Sequence, residues 1–232
     1  PSVVSGRYEA YGQAFWQTGG DANTALAPEP LRWNPFPVGD AADGVDDDFV
    51  DGIRTLAANG DAQMQTGVAA HIYLATRSMG RRALVNADGE MLVVPQQGAL
   101  RLVTEMGVLE VKPGEIALLP RGVAFKVELL DGPSRGYMCE NYGAHFRLPE
   151  LGPIGSNGLA NARDFKAPVA AFEAATSDNT AFEAAAGEYE VIRKYGGHLW
   201  RAPMKHSPFN VVAWHGNLAP VKYDTADFMA IG

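Results

Sequence analysis

Cysteine is almost missing from this chain, Cys139 being its single thiol. One thiol cannot close an intrachain disulfide, so the fold must rest on a packed core, and the chain suits a reducing compartment such as the cytoplasm. Long apolar runs are also missing. None approaches the ~18 residues that span a bilayer, and no charged stretch leads into a short apolar segment as in a secretory leader. Basic residues are in deficit, with 19 Lys and Arg against 27 Asp and Glu and a net charge of -8. Without a basic patch to displace counterions, nucleic acid is disfavoured as a partner, and so is an anionic membrane surface.

The familiar catalytic motifs do not occur either. There is no Gly-x-Ser-x-Gly elbow, no phosphate-binding glycine loop between a strand and a helix, and no His-x-His or His-x-x-x-His pair. His71, between Ala70 and Ile72, reads as a hydrogen-bonded strand residue. Cys139 lies in a strand-like run and reads as buried, not nucleophilic. Asp46, Asp47 and Asp48 read as a solvated turn.

What is present is apolar content, 47% of residues, with a marked β pattern. Residues 1–67 are rich in Gly, Pro and Asp and read as an irregular arm entering a barrel. Residues 68–146 break into short strand-like runs, the spacing of a sandwich or barrel. Residues 147–187 read as a Pro/Gly loop followed by short helices over 167–175 and 181–186, with Thr180 and Glu183 as a capping box. Residues 188–232 return to strands, expected at 188–195, 209–214 and 227–231. Lys112-Pro113-Gly114-Glu115 has the composition of a type II turn.

Gly114, five residues, Pro120-x-Gly122, two residues and Phe125 resemble the second signature of a cupin barrel, which ends on a metal-binding His. The alternation after it puts Val123, Phe125, Val127 and Leu129 on one face and Lys126 and Glu128 on the other. Phe125 therefore points inward and offers no lone pair. Read from Gly89, the first signature places Pro95, Gln97 and either Arg101 or Leu102 at the remaining ligand positions. The fold expected is mainly β, a cupin-like barrel or sandwich with short helices and long loops, its ligand positions emptied.

Longer runs carry a closer resemblance. Leu31-Arg32-Trp33-Asn34-Pro35-Phe36, Tyr142-Gly143-Ala144-His145-Phe146, residues 151–161 and residues 207–217 together resemble homogentisate 1,2-dioxygenase over nearly the whole chain. That resemblance implies an Fe(II) enzyme converting homogentisate, a small aromatic acid, and O2 to 4-maleylacetoacetate in tyrosine and phenylalanine catabolism, assembled as a homo-hexamer. It also implies that iron is held by two His and one Glu in a C-terminal part beyond Gly232, so no catalytic or metal residue is assigned here. Both ends read as cut through structure. Residues 81–86 depart from the family pattern, which leaves substrate preference open. His145, Asn157, Asn210 and His215 are candidates for substrate positioning or interfaces. A metal-free cupin-like binding protein, and a dioxygenase for a related dihydroxy-aromatic acid such as gentisate, stand as alternatives.

Overall fold

The computed structural model describes residues 4, 6–12, 16, 36, 46–149, 160–174, 181–183, 188–212 and 218–228. Eight successive strands build its centre: β3 (Thr66–Ala75), β4 (Arg82–Asn86), β5 (Glu90–Gln97), β6 (Leu100–Thr104), β7 (Gly107–Val111), β8 (Glu115–Leu119), β9 (Ala124–Leu129) and β10 (Ser134–Asn141). They divide into two facing sheets, ordered β8-β5-β10-β3 and β4-β9-β6-β7. The chain crosses from one sheet to the other at every connection except the β6–β7 hairpin. This is a jelly roll, the double-sheet architecture of cupins.

Flanking strands widen both sheets. β1 (Glu9–Ala10), β14 (His198–Met204) and β13 (Tyr189–Tyr195) extend the β4-β9-β6-β7 sheet beyond β4, while β2 (Ile53–Asp61) and β15 (Val221–Asp224) cap the two edges of the β8-β5-β10-β3 sheet. β13 joins β4 in parallel, Lys194 opposite Asn86. The turn expected at Lys112 forms: the Glu115 amide donates to the Lys112 carbonyl at 2.9 Å, and Gly114 takes a φ of +93°.

The core lies between the sheets. Phe49, Tyr73, Leu84, Val93, Leu102, Phe125 and Ile192 have no solvent exposure. Each such side chain contributes about 1.5–3 kcal/mol by leaving water. Inward positions alternate along β3 as Ala69, His71, Tyr73 and Ala75, all buried.

Three expectations are corrected. The helices expected at 167–175 and 181–186 are short strands where they are described, β11 (Phe172–Ala174) pairing in parallel with β12 (Ala181–Glu183). Residues 175–180, including Thr180, and residues 184–186 lie outside the described residues. Tertiary contacts override the helix-forming alanines: the Glu173 amide donates to the Phe209 carbonyl at 2.6 Å, and its carboxylate is buried against Lys126. Of the strand expected at 209–214, residues 213–214 lie outside the described residues, and 209–212 form a turn instead. There the Ser207 hydroxyl accepts from the Phe209 amide at 3.0 Å while the Phe209 ring packs edge-on against Tyr189. Near the end, Thr225–Asp227 is a single 3-10 turn, the Asp224 carboxylate accepting from the Ala226 amide; of the strand expected at 227–231, Asp227 falls in this turn and residues 229–231 lie outside the described residues. Among the described residues there is no α-helix and no helix long and apolar enough to cross a membrane.

Candidate functional site

Phe125 sits fully buried on β9, directly opposite Leu84 of β4 on one side and Thr104 of β6 on the other. Its ring meets that of Phe49 edge-on, 6.3 Å between centroids. The other positions read as emptied ligands do not join it. Pro95 is buried on β5, in the opposite sheet, where it pairs with Gly136. Gln97 is exposed at the end of that strand. Arg101 turns outward to Glu110 and Glu128, and only Leu102 points into the core near Phe125.

The residues beside Phe125 are instead Leu84 and, two positions along the same face, Asn86. Sequence reading missed them. The signal was available, because Leu84, Asn86 and Glu90 have the spacing of His-x-His followed after three residues by Glu. An iron centre of the facial-triad type needs two imidazoles and a carboxylate converging on one point. Leu84 and Phe125 carry no donor atom, and among the described residues no three His, Cys, Asp or Glu side chains converge to hold a metal. These barrel residues do not fit an iron ion.

What they adjoin is a buried polar centre. Asn86 is oriented by its own turn, its Oδ1 accepting from the Asp88 and Gly89 amides at 3.0 and 3.1 Å. Its amide nitrogen then donates to Glu140 Oε1 at 2.6 Å. Lys194 Nζ reaches the same oxygen at 2.7 Å and Asp88 Oδ2 at 3.2 Å. The second oxygen of Glu140 accepts from Tyr142 Oη at 3.1 Å, Trp16 Nε1 at 3.3 Å and His71 Nε2 at 3.3 Å. Glu140, His71 and Lys194 have no solvent exposure. Asp88 is held in turn by the Gly196 and Gly197 amides at 2.7 and 2.8 Å.

Burial alone would raise the Glu140 carboxyl, but the His71 hydrogen bond and the Lys194 charge prevail and hold it at about 2. Burial lowers His71, against the pull of Glu140, so its ring is neutral. Its Nε2 then carries the proton given to the ionised Glu140, and its Nδ1 accepts from Thr55 Oγ1 at 3.0 Å. A neutral imidazole and a fully bonded carboxylate, closed off from water, leave nothing open for a substrate. The arrangement gives each buried carboxylate the Lys194 ammonium as a partner and locks five chain segments together.

The remaining candidates are dispersed. His145 is half exposed at the end of the barrel, its Nδ1 2.8 Å from Glu90 Oε1, while the Phe146 amide donates to the other oxygen. Asn210 is exposed in the turn after Phe209. Asn157 and His215 lie outside the described residues. Cys139 is half-buried on the outer face of β10, less enclosed than its sequence context suggested.

The family described as homogentisate 1,2-dioxygenase N-terminal matches residues 1–225. The chain belongs to that family. The chain is thus a dioxygenase-related jelly roll whose barrel interior is closed by Phe125, Leu84 and the Lys194–Glu140 centre. Solved structures similar to part of it include a Neisseria meningitidis protein, 10% identical over 47% of this chain and 99% of that one, with a TM-score of 0.33. A cupin-2 domain containing protein from Shewanella frigidimarina is 16% identical over 38% of this chain and 78% of that one, TM-score 0.32. A cupin 2 conserved barrel domain protein from Leptotrichia buccalis is 19% identical over 38% and 39% respectively, TM-score 0.33. Likenesses this distant say nothing about activity.

Proposed function

We propose that this chain is the metal-free scaffold half of a cytoplasmic Fe(II)-dependent ring-cleaving dioxygenase. The whole enzyme converts homogentisate and O2 to 4-maleylacetoacetate. The observation that carries this reading is the family match across residues 1–225. The jelly roll supports the scaffold assignment, since Leu84 and Phe125 pack against one another where a cupin with metal would place ligands. Two histidines and a glutamate from another part of the polypeptide hold the iron, and no step of the reaction passes through the barrel interior.

Assembly as a homo-hexamer belongs to the same reading. Val68 on β3 and Tyr137 on β10 are exposed on the outer face of the six-stranded sheet, apolar surface that subunit packing would cover. The test is oxygen uptake by the full polypeptide with Fe(II), comparing homogentisate with gentisate. Uptake with homogentisate is expected. Uptake with gentisate alone overturns the substrate, and none with either leaves a cupin-like binding protein in its place.

A further inference from the structure

The Lys194 ammonium is enclosed by the kinds of groups that recognise a free cation. Glu140 Oε1 and Asp88 Oδ2 lie 2.7 and 3.2 Å from Nζ. The rings of Trp16 and Tyr142 stand with their centroids 5.6 and 5.1 Å away, within the range where an aromatic face attracts a cation. Asn86 and His71 do not bind the ammonium; they satisfy the Glu140 oxygens and hold the carboxylate in place. Lys194 also stands opposite Asn86 across the β13–β4 pairing, beside the Leu84–Phe125 contact.

We propose that this centre is an ammonium-recognition site built into the barrel, with Lys194 as its tethered occupant. The stem of Lys194 rises from β13, the strand that re-enters the sheet in parallel beside β4. The bound cation therefore fastens that seam to β10 through Glu140 and to the N-terminal arm through the face of the Trp16 ring. Recognition needs N–H donors, because two carboxylate oxygens lie at hydrogen-bonding distance. The ligand class is a primary alkylammonium; a quaternary ammonium is excluded. A side chain that only filled space would be replaceable by an apolar one of the same shape. An occupant of a cation site would not be, because its removal leaves two buried carboxyl groups without their ammonium partner.

The experiment uses the full polypeptide with Lys194→Ala and Lys194→Met. Truncation at Cβ leaves room for n-propylammonium, which reproduces the missing part of the side chain. Both substitutions are expected to lower Tm by on the order of 10 °C. Unfolding and refolding in n-propylammonium chloride is expected to recover most of that loss in Lys194→Ala, with saturation. Tetramethylammonium and sodium chloride at equal ionic strength recover none, and the wild type responds to none of the three. If Lys194→Ala does not fold by itself, the yield of folded protein on dilution into each salt replaces Tm. Wild-type Tm in Lys194→Met, or no difference between propylammonium and the control salts, overturns the proposal. The readout is stability, so it stands apart from the dioxygenase reading.

Discussion

Glu140 carries its charge with no access to water, and a consequence for acid stability follows at the scale of that residue. Its carboxyl is lowered from an ordinary 4.5 to about 2, and His71 is lowered from 6.5 by burial. In both cases the unfolded chain takes up the proton first as pH falls. Each contribution is therefore complete above the unfolded value and is lost as pH drops through the folded one. Stability should begin to decline below about pH 6.5 through His71 and decline more steeply between about 4.5 and about 2 through Glu140. Glu140→Gln removes the second part and leaves Lys194 without its nearest counter-charge. Urea midpoints for wild type and Glu140→Gln should differ widely at neutral pH and converge as pH falls from about 4.5 to about 2. A gap independent of pH would contradict the charge assignment. The sequence marked His71 as a bonded strand residue, correctly. It could not mark Glu140 or Lys194, because their partners lie 69 and 106 positions away.

At the scale of elements, alternation was readable wherever one face of a strand is buried and the other is not. In β9 it places Phe125 in the core, and the β4–β9 pairing gives it Leu84 as direct neighbour. Phe125→Ala is expected to cost about 3–5 kcal/mol and Leu84→Ala about 2–5 kcal/mol in denaturant unfolding, through lost burial and a residual cavity. The two vacancies share one wall, so the double variant should lose less than the sum; strict additivity would place the side chains apart. Strands of weak propensity stayed hidden. Ala57, Ala58, Asn59 and Gly60 of β2 read as irregular chain, yet they pair with β3 from Ala57 to Asp61. The alanine-rich runs erred in the opposite direction, because the sequence does not show that Glu173 is drawn to Lys126.

At the scale of the whole molecule, the jelly roll was legible because a turn signature, Pro120-x-Gly122, fixes where two facing sheets connect. The first signature was placed one strand too late, on β5, since no histidine remained to mark it on β4. The interior centre was not legible at all. It draws Trp16, His71, Asn86, Asp88, Glu140 and Lys194 from five separate stretches of chain, and only the closed sheets bring them together. A barrel filled this way is stiff, and under the proposed function iron lies in another part of the polypeptide.

His145 tests that assignment most directly, because it is the half-exposed histidine paired with a buried carboxylate, Glu90. Iron content should be measured by anaerobic Fe(II) titration of the full polypeptide, wild type beside His145→Ala. The account predicts the same iron stoichiometry and affinity in both. Loss of saturable Fe(II) binding in His145→Ala, with the protein still folded, would contradict it.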